Sequence, residues 1–327
     1  MQIVVNEYDT VIRKEENRFI LTTGKKKEEF SADNVSQIII ATGASLSARV
    51  VKLAMENDVD ILYINMAGKP YARIYPCKLG GTTLTRRRQA TQHASLKVTE
   101  AVKNIIRSKI YNQIALLKSL EKTRESVDFS VEIKDISEQV LKICSLEGGI
   151  EELRKNLLGI EGFCSSKYFG CLSRILPFTE RQHEAKDPFN AMLNYGYGIL
   201  YSEVERACII AGLDPYLGFM HTDRYNKPSL VLDMIEQFRQ PVVDRAVINL
   251  FSRKQIEDSD FEQSGKVFML SKKGREKLIA EVLSIINRKV SYKGRELSWK
   301  SIILERCREL VRLLLNETDE YPVLSVN

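Results

Sequence analysis

Along the first 75 residues the hydrophobic positions come in short runs. Gln2–Val5, Thr10–Ile12, Arg18–Thr22 and Gln37–Ala41 are rich in Val, Ile, Phe and Thr, and polar or turn residues such as Lys14–Asn17 and Gly24–Lys27 separate them. That pattern predicts β-strands. One helix interrupts them: Ser45 or Ser47 caps it, and Ala48, Val51, Leu53 and Ala54 supply an apolar side before Asn57. Asp60–Ile64 returns to strand, a turn follows at Ala67–Pro70, and Pro70, Pro76, Gly80 and Gly81 mark the exit. From Cys77 to Leu176 there is no proline, and the period changes to three or four residues: Val98, Val102, Ile105, Ile106, Ile110, Ile114, Leu117, Leu120. Helical patterns continue through Asp135–Cys144, Ile150–Leu158, Gly162–Leu176, Pro188–Leu213, Pro228–Phe238, Gly274–Ile286 and Leu297–Leu315.

The expected fold class is α+β multidomain. An antiparallel β-rich unit spans 1–76, a linker spans 77–90, and a mostly or wholly α unit spans 91–327, with a short β-ribbon expected near 265–278. A length of 327 residues suits two domains. With 44% hydrophobic and 28% charged residues the chain is neither disordered nor fibrous. No run of uncharged apolar residues is long enough to span a membrane. The opening MQIVVNEYDT reads as a strand, not as a leader, so the expected location is cytoplasmic. The six cysteines form no paired spacing, which argues for free thiols and against a zinc ribbon.

Net charge is +6, but its distribution says more. Between Thr85 and Arg124, ten basic residues (Arg86, Arg87, Arg88, Lys97, Lys103, Arg107, Lys109, Lys118, Lys122, Arg124) face only Glu100 and Glu121. A block this uneven suits phosphate neutralisation and counterion release.

Three further segments hold candidate chemistry. Glu161 shares a helical stripe with Ser165, Tyr168 and Leu172, and is read as lying near a helix start. In residues 213–245, His221 precedes a polar loop, Pro228 suits a first helical turn and Pro241 is expected to end the helix. Between the prolines, Asp233 and Glu236 are three apart and share a face of an otherwise apolar helix. Spacing alone favours an ordinary helix face matched to Arg239 and Arg245. The alternative is a divalent-metal site of one imidazole and carboxylate oxygens, which suits Mn²⁺ or Mg²⁺ better than zinc. In residues 187–205, Asn190 and Asn194 are four apart, as are Tyr197 and Tyr201; such polar groups form internal hydrogen bonds or orient metal ligands from behind. Lys272 and Lys273 fall at a strand–turn–helix junction. No nucleophile elbow, Walker loop, dinucleotide fingerprint or zinc-protease motif is present, and three histidines in all make a multi-histidine centre hard to build.

The strings GIEG at Glu161, DPFNAMLNYGYGILY, AGLDPYLGFMH ending in His221, KPSLVLDMIEQFRQPVVDR, KVFMLSKKGREKL and SYKGRELSWKSIILERCREL run in order through the chain. In them the sequence resembles the CRISPR-associated endonuclease/integrase family, the nuclease of the spacer-acquisition module, over essentially its whole length. The resemblance implies an N-terminal β-sandwich that dimerises and an all-α catalytic domain. It implies divalent-metal-dependent cleavage of double-stranded and branched DNA, and joining of DNA fragments into a repeat array. Its metal positions fall on Glu161, His221 and Glu236, with Mg²⁺ or Mn²⁺ as cofactor. Asp233 matches a neighbouring acidic position, an alternate ligand or orienting group, and Asn194 and Tyr197 lie in the segment that would support the ligands. Phosphate contacts are expected from the basic block (Arg86, Arg87, Arg88, Lys109) and from Lys167, Arg239, Arg245, Lys272 and Lys273. Expected partners are a second copy of the chain and a small ferredoxin-like protein of the same module, with no membrane. Where relatives carry an Arg-Pro-rich stretch, this chain reads TERQHEAKDPFN, so no phosphate role is carried over there. Two other classes stay open: a transposase-type integrase acting on mobile-element ends, and a non-catalytic DNA-binding protein with the same fold.

Overall fold

The computed structural model describes residues 1–65, 68, 70–76, 82–124, 127–222 and 225–325. It divides into two compact units, Met1–Leu79 and Gly80–Asn327. Ala67 and Lys69 of the expected turn, and Gly80 and Gly81 of the expected exit, lie outside the described residues.

In the first unit, alternation of apolar and polar residues builds two four-stranded sheets. One has the order β1 (Gln2–Val5), β5 (Gln37–Ile40), β7 (Asp60–Ile64), β8 (Pro70–Ile74); the other has β4 (Lys26–Ser31), β3 (Arg18–Thr23), β2 (Thr10–Glu15), β6 (Ala44–Leu46). Both are mixed rather than antiparallel. β1 and β7 run parallel to β5, and β6 runs parallel to β2, because helix α1 (Ala48–Glu56) and the chain between the sheets carry crossovers that a hairpin cannot make. One core takes Ile3, Val5, Ile38, Ile40 and Ile61 from the first sheet, Ile12, Phe19 and Leu21 from the second, and Val50, Leu53 and Ala54 from α1. Every β5 residue is buried, as expected for a central strand covered on both faces.

The second unit is helical: α2 (Thr82–Thr91), α3 (Leu96–Glu121), α4 (Ser130–Ser145), α5 (Ile150–Ser173), α6 (Pro188–Ile210), α7 (Ser229–Ile235), α8 (Arg245–Ser252), α9 (Lys272–Asn287) and α10 (Trp299–Leu314). It is not wholly α. Two antiparallel ribbons, β9 (Phe261–Ser264) with β10 (Val267–Leu270) and β11 (Lys289–Tyr292) with β12 (Arg295–Ser298), flank α9. The stretch expected as a linker contains α2. Its buried Gln89 donates to the Asp214 and Leu217 carbonyls and accepts from Asp214 N, pinning the chain that leads to His221.

Buried side chains run the full length of α3, from Val98 to Leu120, against α4 and α5. At roughly 1.5–3 kcal/mol for each large side chain fully buried, α3 contributes heavily to the cohesion of this unit. Behind it, the fully buried Arg306 of α10 is held by Gln237, Glu309 and the Pro322 carbonyl, with the Tyr321 ring 3.7 Å from its guanidinium carbon. The chain after α10 is tied to α3 as well, through Asn104 to the Tyr321 carbonyl and Leu324 N to Ser108.

Candidate active site

Glu161 does not open a helix. α5 runs unbroken from Ile150 to Ser173 and Glu161 lies in its middle. Gly159 and Gly162, which read as a break, sit where an added Cβ meets nothing within 4 Å, so they interrupt no packing. Ser165, one turn on, donates to Glu161 Oε1, and Gln113 of α3 donates to Ser165.

His221 ends a tight loop laid against α7. A Cβ at Gly218 would come within 2.5 Å of the Ser229 Cβ, so only glycine permits that approach. Asp233, fully buried on α7, organises the loop: its carboxylate accepts from the backbone N–H groups of Phe219 (2.7 Å), Met220 (3.1 Å) and His221 (3.0 Å), and lies 2.6 Å from His221 Nδ1. A carboxylate can only accept, so Nδ1 carries the proton and donates to it. The Nε2 lone pair is then free for a cation, the usual way a carboxylate orients a metal-binding imidazole.

Glu236 follows α7. The chain does not stop at Pro241 but passes through a π-helical segment, Arg239–Asp244, into α8. Proline has no N–H for the Gln237 carbonyl four residues back. Asn112 of α3 supplies the missing donor at 2.9 Å.

Glu161 and Glu236 come from different helices and meet at a cation already within the fold. Lys109 Nζ donates to Glu161 Oε1 and lies 2.6 Å from Glu236 Oε2, an ion pair whose angles fall outside those of a hydrogen bond. Arg239 Nε donates to the other Glu236 oxygen at 3.0 Å. Burial would raise the Glu236 carboxyl, but Arg239 and Lys109 outweigh it and hold it down to about 2. Burial opposes the Lys109 charge in the same way, and Glu236 and Glu161 overcome it, so the ammonium is held above its usual value. Breaking such a buried pair on one side typically costs about 3–5 kcal/mol. The expected three-ligand cluster is not pre-assembled: among the described residues no three His, Cys, Asp or Glu side chains converge to hold an ion. What converges is two carboxylates on an ammonium, with the oriented imidazole beside them.

Arg239 is fixed from behind. Its guanidinium carbon lies 4.5 Å from the centre of the Tyr197 ring, and Tyr197 OH donates to Asp244 at 2.6 Å. Asp244 also accepts from Tyr168 OH at 2.9 Å. Burial pushes the Asp244 carboxyl up, against the hydrogen bonds of the two tyrosines, and burial raises both phenols well above their usual value. Asn194 accepts from Arg181 Nη2 and donates to the His183 carbonyl, so it anchors the strand of chain before α6.

The expected phosphate contacts are scattered. Arg87 and Arg88 are exposed on α2, with Arg86 half-buried beside them. Lys109 is no surface contact, being buried between the carboxylates. Lys167 pairs with Asp135, Arg245 donates to Ser119 rather than to a carboxylate, and the exposed Lys272 and Lys273 pair with Glu276 and Glu257. An open groove of about 620 Å³ between α4 and α5, lined by Lys142, Lys155, Asn156 and Phe163, adds positive charge that no motif announced. Asp244, Gln113 and Asn112 were also not singled out. The signal for the last two was polar residues at i, i+3 and i+4 (Lys109, Asn112, Gln113) within an apolar stripe.

A β-rich unit, a helical unit, two carboxylates on one buried ammonium and an imidazole held by a carboxylate are the features set against known proteins. The family model described as CRISPR associated protein Cas1 matches residues 3–283. The chain belongs to that family of endonucleases and integrases. It is 34% identical to the CRISPR-associated endonuclease Cas1 1 of Archaeoglobus fulgidus, over 97% of either chain. Its fold is similar to a casposase bound to integration product, with a TM-score of 0.86, 25% identity and coverage of 98% of this chain and 92% of that one. It is similar also to a Cas1 protein of Thermotoga maritima, with a TM-score of 0.80, 20% identity and 99% of each chain covered. No helix among the described residues is long and apolar enough to cross a membrane.

Proposed function

We propose that this protein is a divalent-metal-dependent DNA endonuclease and integrase that joins DNA fragments into a CRISPR repeat array. The observation that carries the reading is the meeting of Glu161 and Glu236 on one buried cation beside an imidazole whose Nε2 is left open. That donor set, two carboxylate oxygens and a nitrogen, fits Mg²⁺ or Mn²⁺. Glu161, His221 and Glu236 would hold the ion, which when bound supplies charge to a phosphodiester oxygen.

The rest of the chemistry belongs to the chain. Asp233 keeps His221 in one tautomer and one orientation. Arg239, stacked on Tyr197, holds Glu236 ionised and fixes its direction. In joining, the 3′-hydroxyl oxygen of the incoming fragment attacks phosphorus. A new P–O bond forms, the bond to the repeat's own 3′ oxygen breaks, and that oxygen leaves with a proton as a hydroxyl. Water in place of the hydroxyl gives cleavage. Neither route needs a covalent enzyme intermediate, in keeping with a site that offers carboxylates and imidazole but no activated Ser or Cys. Exposed Arg87 and Arg88 and the α4–α5 groove would contact phosphates, conferring affinity more than sequence preference. Family membership supports double-stranded and branched DNA, a second copy of the chain paired through the β-rich unit, and a small ferredoxin-like protein as partners, in the cytoplasm.

The likeness to a casposase favours one second reading, an integrase acting on mobile-element ends. The test is strand joining between a labelled fragment and a supercoiled plasmid, with and without Mn²⁺ or Mg²⁺. Joining that needs the ion, needs Glu161 and prefers a repeat-bearing plasmid is expected. Equal joining in a chelator would sink the proposal, and preference for mobile-element ends would favour the second reading.

A further inference from the structure

We propose that Lys109 is a placeholder cation: its ammonium occupies the gap between Glu161 and Glu236 when no divalent ion is bound, and moves onto a DNA phosphate when one enters. This rests on the metal-site reading above.

The argument starts from charge. Glu161, Glu236, Lys109 and Arg239 form a closed set of two anions and two cations, neutral as it stands. The carboxylates sit on different helices and would repel across a buried gap without a cation. A divalent ion held by Glu161 and Glu236 would compete with Lys109 for the same two carboxylates. With the ion added, the set carries two surplus positive charges, so one resident cation must leave.

Mobility decides which. The Arg239 guanidinium is planar, stacked on Tyr197 and braced through Asp244, whereas Lys109 presents a point charge on a flexible stem. Glu161, the more accessible carboxylate with 21% of its side chain exposed against 8% for Glu236, marks the way out. DNA brings the anion that the surplus charge calls for, so the displaced ammonium gains a phosphate oxygen as its next partner. α3 itself need not move. Asn112 and Gln113, on the same face, tie it to the Gln237 carbonyl and to Ser165.

The test measures Mn²⁺ binding by electron paramagnetic resonance or calorimetry in the free protein, so catalysis is not the readout. Wild type, Lys109→Met and Glu161→Gln are compared. Loss of the competing ammonium should tighten Mn²⁺ binding by tenfold or more. It should also lower the melting temperature in chelator, with recovery on adding Mn²⁺. Affinity equal to wild type, or weaker, would overturn the placeholder. If wild-type binding is indifferent to Glu161→Gln, the metal-site reading itself has failed. Lys109→Gln, a donor without charge, repeats the comparison if methionine disturbs folding. The second half is read from the salt dependence of binding to nuclease-resistant phosphorothioate DNA. In Mn²⁺ the log–log slope should be shallower by about one in Lys109→Met than in wild type, the value of one phosphate contact. Identical slopes would remove the phosphate contact.

Discussion

Two buried ionic clusters meet back to back at Glu236 and Gln237. On one side Lys109 and Arg239 serve Glu236 and Glu161; on the other, Arg306 is enclosed by Gln237, Glu309, Tyr321 and the Pro322 carbonyl. The second is closed at Arg306, and Lys293, its side chain 47% exposed, reaches Glu309 from the surface. Arg306 is fully buried and its guanidinium nitrogens end on acceptors, a geometry that rigidifies the packing of α10 on its neighbours. The first opens on solvent at Glu161 and is held in part by an ammonium on a flexible stem. Similar chemistry, a basic group buried among carboxylates and amides, thus fixes α10 in one cluster and leaves a solvent-reached carboxylate in the other.

Breaking the open cluster should cost activity far more than it costs the fold. Glu161→Gln or Glu236→Gln is expected to lower metal-dependent strand joining by more than about 10³-fold, with the circular dichroism spectrum retained. Wild-type joining in either variant removes that residue from the site. Breaking the closed cluster should do the reverse. Arg306→Met removes one buried partner of Glu309, which keeps Lys293 and Tyr292, and is expected to cost about 3 kcal/mol in denaturant unfolding, while folded protein keeps its affinity for Mn²⁺. A smaller intermediate effect is expected of Asp233→Asn, which loosens the 219–221 loop and with it the orientation of His221: roughly 10–100-fold in Mn²⁺ affinity. Parity with wild type there would mean that the imidazole orients itself.

Acidity sharpens the contrast. The folded-state pKa of Glu236 lies below the unfolded value of 4.5, at about 2, so its ion pairs stabilise the fold fully above 4.5 and release that stability as pH falls toward 2. Wild type should therefore lose on the order of 3 kcal/mol over that window that Glu236→Gln does not lose. Coincident acid-unfolding curves would disprove it. The smallest effect is at the surface. Reversing Arg87 and Arg88 to glutamate should weaken DNA binding and shallow its salt dependence, most visibly at low ionic strength.

Much of the architecture was readable because local signals agreed with tertiary ones. β1 and β7 fall where short apolar runs between polar or turn residues put them, and Pro188 with Asp187 before it starts α6, the Asp side chain accepting from Asn190 N. β4 was invisible because KKEEFS exposes four charged side chains on a sheet edge and buries none. Gly159 and Gly162 suggested two helices where α5 is one, since glycine on an outer face costs only about 1 kcal/mol and packing elsewhere on the helix outweighs it. Glu161, His221 and Glu236 were found through motif likeness, and Asp233 through helical spacing. Lys109 was read as a phosphate contact because a lysine among isoleucines looks like a solvated charge; its carboxylate partners lie on α5 and after α7, far away in sequence. Asp244 carries no local signal, because its partners Tyr168 and Tyr197 lie on α5 and α6, far away in sequence.

The π-helical turn has a consequence for insertions and deletions. Each α-helical residue advances the chain by about 100°, and a widened turn absorbs one residue that a regular helix would not. Removing a single residue between Arg239 and Asp244 would let the turn close to an ordinary α-helical one while the chain after it keeps its phase. An inserted residue has no second widened turn to absorb it and would swing Asp244 away from its tyrosines by about 100°. That stretch should tolerate a deletion better than an insertion.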